Sequence, residues 1–141
     1  MGFDPSVDYP LGERSDLVST PGGHALNEVT LDALREGRIG ADELRATPET
    51  LRRQSAIARV AGRPQLADNL ARAAELAAVP AGTILAIYTA LRPLRSSADD
   101  LDAWADRLES EWDAPLTAAF VREACEVYAR RGLLAGERAQ V

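Results

Sequence analysis

The chain contains no lysine. All 16 of its basic residues are arginine, against 22 acidic ones, for a formal charge of −6. A general nucleic-acid binder is basic overall, so that class is set aside. Cysteine and histidine occur once each, as Cys125 and His24. A single cysteine excludes an internal disulfide framework and suits a reducing compartment. One histidine and one cysteine cannot build a zinc site by themselves. No run of about 18 apolar residues is present, so no membrane span is expected. Met1–Val7 lacks a basic segment and an apolar segment, so no secretory signal is expected either.

What the chain does have is apolar content of 46%, much of it alanine. At about 25 cal/mol per Å² of buried apolar surface, alanine contributes little, so the core should be thin. Some apolar surface is then expected to serve another chain.

The residues that could carry chemistry are sparse. His24 follows Gly22 and Gly23, which places it in a turn with no nucleophile or acid at triad spacing. Cys125 lies mid-helix among apolar neighbours, the setting of a small hydrophobe rather than a reactive thiol. Asp102, Asp106, Glu109 and Asp113 share one helical stripe, the pattern of a solvated face. Gly22-Gly23 lacks the spacing and the preceding strand of a phosphate loop. No catalytic, cofactor-binding or metal-binding residue is assigned.

The local pattern is helical throughout. Residues 1–25, broken by Pro5, Pro10, Gly12 and Pro21 to Gly23, read as an extended arm. The arm carries Tyr9, Leu11, Leu17 and Val18, so it should lie on something, either this domain or a neighbour. Thr30 caps Leu31–Glu36, and Gly40 precedes a short piece over 41–44. Thr47, Pro48 and Glu49 start a helix that runs to about Ala61. Pro64 and Pro80 open the next two, and Pro93 stops the second of these. Ser96 and Ser97 before Asp99 and Asp100 form a capping-box pattern for a helix with Leu101, Trp104, Leu108 and Trp112 on one face. Pro115 opens the last helix, ended by Gly132. That helix carries two apolar stripes, Leu116/Phe120/Ala124/Val127 and Val121/Cys125/Tyr128, a width that suggests contact on two sides. The expected fold is all-α: a compact bundle of about five to six helices over residues 26–136, with the arm before it and a frayed tail over 137–141. Arg92 and Arg95 flank Pro93 near a helix C-terminus. They either compensate the helix dipole or dock onto partner carboxylates, and the sequence leaves both open.

Arg63-Pro64-Gln65-Leu66-Ala67, Arg72-Ala73-Ala74-Glu75-Leu76, Val79-Pro80, Ile84-Leu85-Ala86-Ile87-Tyr88 and Ala90-Leu91-Arg92-Pro93 follow in order. With Tyr9-Pro10-Leu11, Thr47-Pro48-Glu49 and Ala118-Ala119-Phe120-Val121-Arg122-Glu123, this series resembles the small (gamma) subunit of adenosylcobalamin-dependent propanediol/glycerol dehydratases. It runs from about Tyr9 to Gly136. Leu94 departs from it, where an aromatic is expected. The resemblance implies a non-catalytic subunit of a hydro-lyase that turns 1,2-propanediol or glycerol into an aldehyde and water. It implies large (alpha) and medium (beta) partners in a dimer of alpha-beta-gamma units. Adenosylcobalamin would be held in the holoenzyme and not by this chain alone. No nucleic-acid or membrane partner is implied. The location is expected to be cytoplasmic, in the open cytoplasm or in a bacterial microcompartment. Tyr9, Leu11, Tyr88, Leu91, Arg92, Arg95 and Phe120 are the expected partner contacts. A free-standing helical adaptor is the competing reading.

Overall fold

Helices form where the sequence supplies their caps. A computed structural model describes residues 2–136. The expected frayed tail, 137–141, lies outside the described residues. Among these residues six α-helices follow one another: α1 Leu31–Arg35, α2 Pro48–Val60, α3 Pro64–Leu76, α4 Ala81–Ala90, α5 Ala98–Trp112 and α6 Pro115–Arg131. No strand occurs among the described residues beyond an isolated bridge between Ser19 and Ala25. The class is all-α.

The caps act as the sequence predicts. Thr30 Oγ1 accepts from Ala33 N, and Thr47 Oγ1 from Thr50 N. Ser97 and Asp100 make the reciprocal capping box, with Asp100 N donating to Ser97 Oγ at 3.2 Å and Ser97 N to the Asp100 carboxylate at 2.9 Å. Each such cap contributes about 1 kcal/mol. Gly62 and Gly132 end α2 and α6 in the left-handed region, at φ 73° and 63°, which glycine adopts without the Cβ penalty. Pro80 sits just before α4 rather than in its first turn.

The chain divides after Ala77 into two compact units. The first holds α1 to α3. Here α2 packs on α3, and the buried Ser55 hydroxyl donates to the Ala67 carbonyl at 2.7 Å. The N-terminal segment belongs to this unit. It is wound into short 3-10 turns at Leu11–Glu13, Ser15–Leu17 and Leu26–Glu28 rather than fully extended. Leu11 and Leu17 bury against Ile57 of α2, with Phe3 and Val18 beside them. Arg53 of α2 donates to the Leu17 carbonyl and stands 5.7 Å from the Phe3 ring centre. The arm therefore lies on this chain's own α2. A second tie is the Glu43 carboxylate, which accepts from the Thr20 hydroxyl and from Gly22 N at 3.0 Å. A Cβ at position 22 would come 2.5 Å from that carboxylate, so a larger residue there would push the Glu43 side chain aside.

The second unit holds α4 to α6. Its core is Leu101, Ala105 and Leu108 of α5 against Ala118, Val121 and Cys125 of α6, with Ile87 of α4 and Leu134. Trp104, Trp112, Leu91 and Tyr128 pack around it. The largest fully buried side chains are Leu101, Leu108 and Val121.

Leu108→Ala should lower stability by about 3 kcal/mol, because a fully buried leucine leaves a cavity. Leu85→Ala, at a position 68% exposed, should stay within about 0.5 kcal/mol. Thermal unfolding followed by circular dichroism compares them. Equal losses in the two variants would contradict this core.

Candidate partner-docking surface

The residues with chemical potential are all given structural work. His24 lies half-exposed in the 20–24 turn. Its backbone N–H donates to Thr20 Oγ1 at 3.1 Å, and its imidazole stands 3.8 Å from Glu28. Cys125 is buried in the second unit. Burial pushes its thiol pKa up, and the nearby Asp102, Glu126 and Asp99 add to the shift. The thiolate, the reactive form, is thereby disfavoured. The acidic stripe of α5 is partly paired. Arg122 of α6 reaches Asp106 and Glu109, each at 2.8 Å. The guanidinium's hydrogen bond holds the Glu109 carboxyl below its usual range. Arg107 pairs with Glu111 at 2.8 Å and stacks over Trp104 and Trp112, at 4.7 and 5.5 Å from the ring centres. Among the described residues no three His, Cys, Asp or Glu side chains gather to hold a metal ion.

What stands out is a surface. Helix α4 reads Ala-Gly-Thr-Ile-Leu-Ala-Ile-Tyr-Thr-Ala, without a single charged residue. A helix apolar all round belongs in an interior. Yet Ile87 is its only buried side chain, while Leu85 is 68% and Tyr88 61% exposed. Ile84, Ile87, Tyr88 and Leu91 lie at helical spacing on one stripe, and that stripe splits: Ile87 is buried, Ile84 and Leu91 are half-buried, and Tyr88 faces outward. A shallow depression of about 560 Å³ runs along the helix, lined by Leu85, Ala86, Thr89 and Ala90, with Arg95 at its edge.

The same division occurs on α6. Val121 and Cys125 are buried and Tyr128 half-buried, whereas Leu116 and Phe120 stay 51% and 43% exposed. The expected contact residues therefore fall into groups. Tyr88, Arg92, Arg95 and Phe120 are exposed in the second unit, and Leu91 packs on its core. Tyr9 is 76% exposed on the first unit. Leu11, two residues on, is 6% exposed and holds the base of that turn inside the chain's own core. Leu85 is missing from the sequence-derived contacts. Its exposure depends on α4 meeting the core through the side that carries Ile87 and Ala90, although the absence of charge in α4 was a readable signal.

A small all-α chain with a buried thiol and a bare uncharged helix has the features of an interaction subunit. Comparison with known proteins gives the family. The dehydratase small subunit family matches residues 5–135. The propanediol dehydratase small subunit of Citrobacter freundii is 48% identical over 132 residues, covering 93% of this chain and 77% of the relative. That of Salmonella typhimurium is 47% identical over 131 residues, covering 92% and 76%. The chain belongs to the dehydratase small subunit family.

Two outcomes follow from the site's electrostatics. Glu43, Glu109 and Glu111 all have carboxyl pKa values lowered by hydrogen bonds to the folded chain. Each stabilises the fold fully above the unfolded value of 4.5 and loses that contribution as pH falls through the depressed value. The urea midpoint should be flat from pH 7 to pH 5 and drop below about pH 4; a midpoint unchanged at pH 3 would contradict this. Cys125 should resist thiol reagents in the native chain and react fully in urea. Equal labelling rates in both states would overturn its placement in the core.

Proposed function

We propose that this chain is the non-catalytic small subunit of a propanediol-type dehydratase, a hydro-lyase complex, and that it docks onto the large subunit through α4. The observation that carries the reading is the charge-free α4 with Leu85 and Tyr88 exposed. Burying two such side chains contributes roughly 1.5–3 kcal/mol each, enough to anchor an interface. Arg92 and Arg95 beyond α4 extend the surface, with Leu91 buttressing it from the core, and Phe120 is a further exposed contact on α6. Tyr9 is a separate contact offered by the first unit. The partners are the large and medium subunits, in a dimer of alpha-beta-gamma units. The proposed location is the cytoplasm, open or within a bacterial microcompartment. No helix among the described residues is long and apolar enough to cross a membrane.

The family's enzymes work with adenosylcobalamin, which supplies the radical that starts the dehydration. The residues of this chain do not fit that group. The depression along α4 is shallow and offers a corrin no enclosing wall. His24 sits in a turn with its imidazole facing Glu28. The cofactor and the diol are assigned to the partner subunits, and this chain's work is to cover and brace them.

The test is co-expression with tagged large and medium dehydratase subunits. The wild-type chain should copurify, and the assembly should form aldehyde from 1,2-propanediol when adenosylcobalamin is added. The chain alone should form none. L85D/Y88D should keep its helical circular dichroism yet bind roughly a hundredfold more weakly, about 3 kcal/mol, with aldehyde formation falling in step. Copurification of this variant at the wild-type level would remove α4 from the interface. Failure of the wild-type chain to copurify would favour a free-standing adaptor.

A further inference from the structure

At the end of the second unit where α4 stops, two stretches carry arginines and no carboxylate of their own; the flanking Asp99, Asp100 and Glu126 pair with none of these arginines. Residues 91–98 and 127–136 contain Arg92, Arg95, Arg130 and Arg131 and not one Asp or Glu. The backbone brings these two stretches together. Leu94 N donates to the Leu133 carbonyl at 2.7 Å, and Ala135 N to the Ser96 carbonyl at 2.9 Å. The Tyr128 hydroxyl donates to the Leu91 carbonyl at 2.5 Å. Ser96 Oγ adds a bond to the Ala90 carbonyl at 2.9 Å. The loop 91–96 is thus pinned on two sides, and Leu94 is held at φ 64°, an unfavourable region for a side-chain-bearing residue. A strained, heavily tied loop presents a fixed surface rather than a mobile one.

All four arginines are exposed, and none has an ion pair among the described residues. Dipole compensation accounts for part of this charge. The C-termini of α4 and α6 each carry about half a negative charge. Together they offset about one positive charge of four, so about three remain. In a chain of net −6 this is a local reversal of sign. It is also continuous with the bare helix, because Arg95 borders the depression that Leu85 and Ala86 line. A partner there must offer an apolar face and, at one end, anionic groups. A polyanion lacks the apolar face, and the chain's overall negative charge repels it.

We infer that Arg92, Arg95, Arg130 and Arg131 receive a carboxylate cluster on the large dehydratase subunit, beside the site where α4 docks. This rests on the assembly reading above. Guanidinium forks bind carboxylates in bidentate fashion, which fixes orientation as well as adding affinity. The apolar helix would supply contact area and the arginines the register.

The complex of this chain with tagged large and medium subunits tests it, by following retention across a sodium chloride series. Wild-type retention should fall as salt rises. R92A/R95A should bind about tenfold more weakly and with a shallower salt dependence. R92K/R95K should recover the salt dependence but only part of the affinity. R52A/R63A, which removes arginines of the first unit, should match wild type. The inference is overturned if R92A/R95A equals wild type in both affinity and salt slope. It is also overturned if R92A/R95A loses retention on heparin while subunit binding is intact, which assigns the arginines to a polyanion. If the wild-type chain is not retained at any salt, the assembly reading fails first and takes this inference with it.

Discussion

The second unit depends on how closely α5 and α6 can approach. Ala105 on one helix and Ala114 and Ala118 at the start of the other have no exposure at all. With so little side chain between them, Leu101 and Leu108 reach the α6 surface directly and bury completely against Val121. Close packing of this kind forms many short contacts from little apolar area. It also exhausts the core quickly, because the inward faces of two helices fill the available volume.

That constraint decides the state of α4. Once α5 and α6 have satisfied each other, one buried anchor, Ile87, remains for the third helix. Thr83, Ile84 and Ala90 are half-buried and the rest of α4 is left outward, although nothing on it is polar enough to prefer water beyond two threonines and a tyrosine. An isolated chain that selection had shaped for solubility would place charge there, as it does on α5, where Asp102, Asp106 and Glu109 face solvent. The contrast between adjacent helices of one unit separates a solvated face from a contact face more sharply than any total of exposed area.

Much of the local structure was legible because it is set by short-range chemistry. Thr30, Thr47 and Ser97 cap because their oxygens reach backbone N–H groups a turn away, and Gly37, Gly62 and Gly132 stop helices because they alone take positive φ cheaply. The family resemblance was legible from ordered blocks. The destination of each apolar side chain was less so. Leu11 and Tyr9 are neighbours in an irregular segment, yet one is buried and the other bare, because Ile57, distant in sequence, selects between them. Likewise Leu116 and Val121 are equally apolar on the same helix, and only the position of α5 separates the covered stripe from the exposed one. Periodicity finds a stripe; the partner helix decides which stripe is used.

Charge is allocated by the same logic, and it narrows what the arginines are for. Arg14, Arg53, Arg59, Arg107 and Arg122 are each held by a carboxylate from a nearby turn or facing helix. In an acid-rich chain such partners are plentiful, yet in places the surrounding sequence withholds them. Around the end of α4 it withholds them twice, in the stretch before α5 and in the stretch after α6, and the backbone then ties those two stretches together. Exposed ion pairs stabilise a fold by only about 0–1 kcal/mol, so leaving them out costs the monomer little. The same guanidinium groups buried against carboxylates at an interface gain from the lower dielectric and from geometry that water cannot imitate. A small subunit that must find one face of a larger chain is better served by fixed cations beside an apolar helix than by further local pairing.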